Sequence, residues 1–157
     1  EQKMAGLILF ISDIHSLDLK AGNGLLLATG SYWDVNEKAR AFAECFVKRN
    51  GGKAPSMTHA GAYSATLTYL KAVEKTGSTK DGAAVVAAMR AAGEFDDPLF
   101  GKTVVRTDGC VTHDIFLVEV KKPEDSKKQY DYYKVVSVIP AEKAFRPLAG
   151  SPCPLVR

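Results

Sequence analysis

The sequence has little cysteine, no long apolar run and no strong excess of charge. None of its three cysteines stands in a Cys-x-x-Cys pair, so the sequence does not predict a zinc site of the common kind. No apolar stretch approaches the roughly 20 residues that a membrane-spanning helix needs. The net charge is only +3, from 21 basic and 18 acidic residues, and the dispersed basic residues do not predict a nucleic-acid-binding face. With 157 residues, 46% of them hydrophobic, the chain can form one ordinary globular domain.

The cysteines and the start of the chain lead to two further expectations. Cys45 lies in an apolar helical pattern and is expected in the core, whereas Cys153, between two prolines, is the best candidate for a disulfide. Glu1 leads within a few residues into a strand-like run, and no signal peptide is recognisable before it. We therefore expect the chain to be part of a longer protein.

Apolar patterning in the first part of the chain predicts two strands separated by a helix. The continuous runs MAGLILF (4–10) and LLLATG (25–30) predict strands that are buried on both faces. Between them, a short helix is predicted over 12–20, with Ser12 or Asp13 as its N-cap.

Three further helices are predicted in the middle of the chain. Asp34, followed by Glu37 in the manner of a capping box, predicts the start of an amphipathic helix that ends at 50–52. Its apolar stripe comprises Ala39, Phe42, Ala43, Phe46 and Val47. A longer helix is predicted to follow Pro55-Ser56 and to run to about Thr76, where Gly77 ends it, and an alanine-rich helix is predicted over 80–92.

The last third of the chain is rich in β-branched residues. Asp108-Gly109 stands between two such runs, which is a strong signal for an antiparallel hairpin. After a polar loop at 121–129, YDYYKVVSV predicts another strand and AEKAF a short helix. The predicted fold class is α/β, with a largely parallel sheet and an antiparallel hairpin.

Asp13 and His15, in the segment ISDIHS, raise the alternative of a metal-dependent phosphoesterase. A two-metal site needs further carboxylates and imidazoles from later strand ends. The chain has only two other histidines, His59 and His113, and neither stands in a Gly-Asn-His or Gly-His-x-His turn. Nucleophile elbows, P-loops and dinucleotide-binding glycine motifs are also lacking from the sequence. We therefore predict no catalytic residue, no metal and no cofactor, and expect all three histidines to be structural.

The order of the predicted elements resembles that of the type I periplasmic substrate-binding proteins of ABC transporters, the leucine/isoleucine/valine-binding class. The likeness rests on AGNGLLLATGSYWD, on AYSATLTYLKAVEKTG and on the hairpin that leads into HDIFLVEV. It spans residues 1–157 but corresponds only to the C-terminal portion of such a protein. The resemblance implies Rossmann-like parallel sheets of a two-lobed fold, here partial. It assigns 1–28 to the second lobe, 29–118 to the first lobe, and 119–157 to the second lobe and a C-terminal tail.

The resemblance also implies where a ligand binds, because in this family two lobes close on a small molecule. The implied ligand-binding residues are Phe10, Asp13, Tyr32, Trp33 and Tyr63. Phe10 stands where branched-chain binders often carry an acidic residue, and it cannot accept a hydrogen bond from an ammonium group. Asp13 either supplies that acid or caps a helix, and Tyr63 either lines the crevice or packs in the core. The aromatic residues suit an aromatic or apolar carboxylate better than a sugar.

The implied function is that of a solute-binding component of an ABC importer, located in the periplasm, with a signal peptide that is not in this chain. The ligand is expected to be an amino acid or an aromatic or apolar carboxylate. The expected partners are this ligand, the membrane permease and the N-terminal half of the same protein, and exposed apolar surfaces predict self-association of the fragment. No nucleic acid is expected. The alternative function is a ligand-sensing domain of the same fold in a receptor or regulator.

Overall fold

The computed structural model describes residues 2–152 and 154–156, and they form two compact units. The first unit comprises the described residues up to Ala60 together with Ile115–Ile139. The second comprises Gly61–Asp114 and the described residues from Pro140 onward. Cys153, the candidate for a disulfide, lies outside the described residues. The predicted lobe boundaries concern the intact two-lobed protein and stay a prediction.

Helices dominate the chain up to Arg90, a part that contains two strands, and strands dominate after that. The elements are β1 (Ala5–Gly6), α1 (Ile11–Leu17), α2 (Leu19–Gly22), β2 (Leu26–Thr29), α3 (Glu37–Arg49), α4 (Met57–Thr76), α5 (Gly82–Arg90), β3 (Glu94–Asp97), β4 (Gly101–Val105), β5 (Val111–Thr112), β6 (Ile115–Val120), β7 (Tyr133–Ile139) and α6 (Ala141–Ala144). Short 3-10 turns occur at Pro123–Asp125 and Pro154–Val156.

The strands form one sheet in each unit. In the first unit the order is β1–β2–β6–β7, and in the second it is β3–β4–β5. The predicted α/β class with an antiparallel hairpin is confirmed. Parallel pairing is confined, within the described residues, to β1 and β2. β6 pairs antiparallel with both β2 and β7, and a loop with a single 3-10 turn joins β6 to β7. Parallel neighbours need a longer crossover, usually through an α-helix.

The first strand is shorter and more exposed than its apolar sequence predicts. β1 covers only Ala5–Gly6, and the next two residues, Leu7 and Ile8, are 96% and 74% exposed. β1 lies at one edge of the sheet, with β2 as its neighbour, so the prediction of a strand buried on both faces is wrong here. β2 is confirmed as a strand, but exposed Ala28 shows that only one of its faces is covered.

The helix predicted over 12–20 is broken into α1 and α2 by Asp18. Phe10 is the N-cap of α1, and neither Ser12 nor Asp13 takes that position. Asp18 has φ 75° and ψ 146°, a backbone conformation that residues other than glycine seldom adopt. Its carboxylate accepts a hydrogen bond from the Lys20 N–H at 3.1 Å and so caps α2.

Helix α3 begins two residues later than predicted. Asn36 is its N-cap and accepts a hydrogen bond from the Ala39 N–H at 2.8 Å, whereas Asp34 forms an ion pair with Arg40. Ala39 and Ala43 face the core, as the apolar stripe predicts. The prediction that Cys45 is buried is wrong, since Cys45 is exposed. It lies two positions after Ala43, which places it on the other side of the helix.

The second unit matches the sequence pattern closely, apart from one strand. α4 ends at Thr76, directly before Gly77, as predicted, and α5 lies within the range predicted for it. β4 and β5 flank the turn at Asp108-Gly109. β3 was not predicted, because its sequence EFDD is acidic and a poor strand former. It is a strand because it pairs in antiparallel register with β4.

A buried carboxylate anchors the loop that precedes β7 in the first unit. Asp131 is 5% exposed, and it accepts hydrogen bonds from the Lys121 ammonium at 2.5 Å and from the Lys127 N–H at 3.0 Å. Burial by itself would raise the pKa of Asp131. The hydrogen bonds from the two lysines and the Lys121 charge outweigh burial and hold this pKa below its ordinary value. The charged form of Asp131 therefore keeps the ends of the loop together.

A second buried carboxylate, Asp97, joins a turn to a helix in the second unit. Asp97 is 2% exposed and accepts hydrogen bonds from the N–H groups of Leu99 and Phe100 at 2.8 and 3.0 Å. The Ser64 hydroxyl on α4 donates to its other oxygen at 2.5 Å. The turn between β3 and β4 is thereby fixed to α4.

Replacing Asp131 by asparagine should destabilise the chain. Asp131→Asn keeps the shape of the side chain but leaves the partly buried Lys121 charge without a counter-ion, so we expect the free energy of unfolding to fall by about 2 kcal/mol. Urea unfolding followed by circular dichroism measures this change. Asp125→Asn, at an exposed position of the same loop, is the control and should stay within about 0.5 kcal/mol of the unmodified chain. Equal effects of the two variants would contradict the anchoring role.

The contribution of Asp131 should also depend on pH in a defined direction. Its pKa is lower in the folded chain than the ordinary aspartate value of about 3.9, so the stabilisation is fully present above about pH 4. It should be lost as the pH falls through the lower, folded-state pKa. We expect the stability difference between the unmodified chain and Asp131→Asn to be constant near neutral pH and to shrink below about pH 4. A difference that grows on acidification would contradict the assignment.

Replacing Asp97 by alanine should destabilise the second unit. Asp97→Ala leaves the Ser64 hydroxyl and the Leu99 N–H without their buried acceptor, so we expect a loss of about 3 kcal/mol. Thermal unfolding followed by calorimetry measures it. Glu94→Ala on the same strand removes only an exposed ion pair with Lys102 and should change stability by less than about 1 kcal/mol.

Candidate functional site

The five predicted ligand-binding residues are divided between the two units. Phe10, Asp13, Tyr32 and Trp33 lie in the first unit, and Tyr63 lies on α4 in the second. The side chain of Tyr63 is 44% exposed, so it does not pack in a core. The arrangement within the first unit decides what its four residues can do.

Phe10 and Asp13 are linked at the start of α1. The Asp13 carboxylate accepts a hydrogen bond from the Phe10 N–H at 2.8 Å, so Asp13 acts as a local cap while its side chain stays exposed. Burial, together with the charge of Asp13, raises the pKa of Tyr133. The Tyr133 hydroxyl is buried and finds no hydrogen-bond partner among the described residues. A neutral phenol therefore lies within electrostatic reach of Asp13.

Tyr32 forms part of the core of the first unit. It is 5% exposed, and its hydroxyl donates a hydrogen bond to the Tyr130 carbonyl at 3.3 Å. Its ring contacts the rings of Tyr133 and Trp33, with centroids 5.1 and 5.7 Å away. Burial raises the pKa of Tyr32 well above its ordinary value, so the hydroxyl stays neutral. In this chain the buried ring of Tyr32 packs against the indole of Trp33. A contact between Tyr32 and a ligand stays a prediction.

Trp33 lies between the core and solvent and is held on two sides. Its indole N–H donates a hydrogen bond to the Tyr130 carbonyl at 2.7 Å. The Lys128 ammonium stands 4.7 Å from the centroid of the ring, which is a cation–π contact. The same loop that Asp131 anchors therefore fixes the position of the indole.

Trp33 borders a groove of about 280 Å³ on the surface of the first unit, which we call the Trp33 groove. α3 contributes one wall, and the loop before β7 contributes the other. Its apolar surface comes from Trp33, Val47 and neighbouring alanines, and its charged groups come from Arg40, Glu44 and Lys128. A groove with an apolar floor and a few charged groups at its rim can hold a small amphipathic molecule.

Each of the three histidines contacts a neighbouring side chain. His15 Nδ1 lies 2.7 Å from the Tyr132 hydroxyl, and His59 Nδ1 lies 2.9 Å from the Ser56 hydroxyl. His113 stacks on a phenylalanine ring with centroids 4.2 Å apart. In the part of the chain that the structure describes, no group of three or more His, Cys, Asp or Glu residues could hold a metal ion.

The cluster around Trp33 includes residues that the sequence did not reveal as site residues. Tyr130 and Tyr132 lie in or beside the loop and are buried, although YDYYKVVSV predicts one continuous strand. Three tyrosines within four residues could have indicated an aromatic cluster. Arg40 and Lys128 gave no signal, because charged residues on a helix surface and in a polar loop are ordinary.

None of the chain's described helices is long and apolar enough to span a membrane. No curated protein sequence matches the chain. A family model described as periplasmic binding protein matches residues 1–128.

Solved structures extend this likeness to the full chain. A periplasmic binding protein from Burkholderia mallei is 42% identical, with a TM-score of 0.90 over 98% of this chain and 40% of its own. A branched chain amino acid ABC transporter periplasmic ligand-binding protein from Burkholderia xenovorans LB400 is 41% identical, with a TM-score of 0.91 over 99% of this chain and 41% of its own. This chain therefore spans about two fifths of the length of these relatives.

A more distant structure shares the fold alone. A solute binding protein of an ABC transporter from Rhodopseudomonas palustris HaA2, in complex with p-hydroxybenzoic acid, is 20% identical, with a TM-score of 0.70 over 88% of this chain and 37% of its own. Together with the family model and the two Burkholderia structures, it agrees with the predicted type I fold. The chain belongs to the periplasmic binding protein family and has the type I fold of the substrate-binding proteins of ABC transporters.

Proposed function

We propose that the chain is part of a solute-binding component of an ABC importer, which holds a small organic ligand between two lobes. The observation that carries the proposal is the match to the family over residues 1–128, together with two relatives above 40% identity that cover nearly the whole chain. Ligand binding by lobe closure works because the ligand contacts both lobes and so stabilises the closed form. The periplasm is the proposed location and the membrane permease the proposed partner.

The proposed ligand is an amino acid or an aromatic or apolar carboxylate. Phe10, Trp33 and Tyr63 would supply ring surface, and Tyr32 would support Trp33. Asp13, exposed at the start of α1, would accept a hydrogen bond from an ammonium group in place of the acid that Phe10 lacks. A relative whose name includes branched chain amino acid transport and another bound to p-hydroxybenzoic acid support this range of ligands.

Two further partners belong to the proposal. The first is the rest of the same protein, because this chain spans about two fifths of its relatives. The second is another copy of the fragment. Exposed Leu7 and Ile8, and the exposed valines of β7 such as Val136, are apolar surfaces that favour self-association. The sensor alternative stays a prediction that the domains attached in the full gene would decide.

The role of Tyr63 can be tested in a full-length protein that contains this chain. A panel of amino acids and aromatic carboxylates is first screened by thermal shift, since a ligand at one hundred times its Kd stabilises the folded state by about 2.7 kcal/mol. Tyr63→Ala should then weaken binding of the best ligand about tenfold or more, as measured by calorimetric titration.

Tyr69→Ala is the matched control for Tyr63→Ala. Tyr69 lies on the same helix and is 42% exposed, against 44% for Tyr63, so the two truncations remove equal exposed rings. We expect Tyr69→Ala to bind as the unmodified protein does. Equal losses in the two variants would remove Tyr63 from the site, and a panel without any thermal shift would overturn the proposed ligand class.

A further inference from the structure

Two of the three asparagines in the chain are followed by glycine, and the surroundings of these two pairs differ. The pairs are Asn23-Gly24 and Asn50-Gly51, whereas the third asparagine precedes a glutamate. In an Asn-Gly pair the glycine nitrogen can attack the carbonyl carbon of the asparagine side chain, because glycine has no side chain to hinder its approach. Each pair is therefore a candidate for deamidation, a spontaneous modification that needs only water.

The Asn50-Gly51 pair lies in a turn at the C-terminal end of α3. Asn50 is the C-cap of this helix, and the exposed residues Gly51 and Gly52 have φ 58° and 81°. Neither the Gly51 N–H nor the side-chain amide of Asn50 has a hydrogen-bond partner among the described residues. Two successive glycines also let the backbone rotate with little steric hindrance, so the Gly51 nitrogen can reach the side-chain carbonyl carbon of Asn50.

The Asn23-Gly24 pair is held by the sheet of the first unit. Asn23 is likewise a C-cap, that of α2, but the Gly24 N–H donates a hydrogen bond to the Val120 carbonyl at 3.0 Å. Val120 is the last residue of β6 and is 1% exposed. Attack by the Gly24 nitrogen must therefore break a hydrogen bond that ties the turn to the sheet, a cost that the Asn50 turn does not have.

We propose that Asn50 is a site of spontaneous deamidation in the folded protein and that the fold protects Asn23 from the same reaction. The Gly51 nitrogen gives up its proton to a base and forms a bond to Cγ of Asn50. The C–N bond of the side-chain amide then breaks, and its nitrogen takes up a proton and leaves as ammonia. Water opens the resulting succinimide ring at either carbonyl, which gives aspartate or isoaspartate.

The modification changes the C-terminal end of α3 and one wall of the Trp33 groove. Both products carry a carboxylate where the helix dipole disfavours negative charge. Isoaspartate also lengthens the main chain by a carbon atom, which disturbs the 3.0 Å hydrogen bond from the Gly52 N–H to the Val47 carbonyl. Gly52 and Val47 both line the groove. The inference does not depend on the proposed solute-binding function, because it concerns only the chemistry of the turn.

Ageing the folded chain in mildly alkaline buffer tests the proposal, because base promotes loss of the glycine N–H proton. Peptide mapping by mass spectrometry measures conversion at each asparagine from the mass gained when –NH2 becomes –OH. We expect Asn50 to be converted about tenfold faster than Asn23, since only Asn23 requires a hydrogen bond to the sheet to break. In guanidinium chloride, which unfolds the chain and removes that hydrogen bond, the two rates should become similar.

Two matched variants connect the modification to one residue. Ion-exchange chromatography of the aged chain should show an acidic form that accumulates with time. Asn50→Gln should remove most of this form, because glutamine must close a larger ring and does so more slowly, whereas Asn23→Gln should leave it unchanged. Equal rates at Asn50 and Asn23 in the folded chain, or faster conversion of Asn23, would overturn the proposal. So would a rate at Asn50 far lower in the folded chain than in guanidinium chloride, since the fold would then protect this turn as well.

Discussion

The buried carboxylate of Asp131 is the contact on which the organisation of the first unit depends. Most residues between 122 and 129 are exposed, so hydrophobic burial does little to stabilise one conformation of this loop. Asp131 stabilises the observed conformation by accepting hydrogen bonds from Lys121 at one end of the loop and Lys127 near the other. The ordered loop then presents the Tyr130 carbonyl to both Tyr32 and Trp33. A single charge thus positions the aromatic cluster and one wall of the Trp33 groove.

The second unit solves a similar problem with the same chemistry. Asp97 accepts hydrogen bonds from two backbone N–H groups of a tight turn. It accepts a third from the Ser64 hydroxyl on α4. In both units a buried carboxylate, rather than apolar packing, fixes the conformation of the segment that connects two strands of a sheet. Such networks stabilise strongly when every group is satisfied, and they make one loop conformation preferable to its competitors.

The parts of the fold that follow from local sequence were predictable, and those that follow from distant contacts were not. α4 and the hairpin at Asp108-Gly109 could be predicted because helical periodicity and turn chemistry act over a few residues. The burial of β1 could not, because it depends on what neighbours the strand rather than on its own residues. β3 became a strand only through its partner, despite its acidic sequence.

The candidate site shows the same division. Trp33 and Tyr32 stood out as aromatic residues directly after a predicted strand, and the structure places them side by side. Their contact with Tyr130 joins positions 97 residues apart, for which one sequence gives no signal. The positions of Glu44 and Lys128 at the groove could not be predicted either, because a charged residue at the surface has no sequence pattern that marks it as part of a site.

The corner between α1 and α2 limits which residues position 18 can accept. Asp18 adopts a backbone conformation that costs most residues about 1–3 kcal/mol, and its carboxylate offsets part of this by capping the next helix. Glycine would remove the strain and lose the cap, whereas a β-branched residue would keep the strain and add to it. Asparagine would keep the strain but also keep a short side chain whose oxygen can accept the capping hydrogen bond. Substitution at this position therefore changes backbone strain, the cap of α2 or both, although the side chain itself is exposed to solvent.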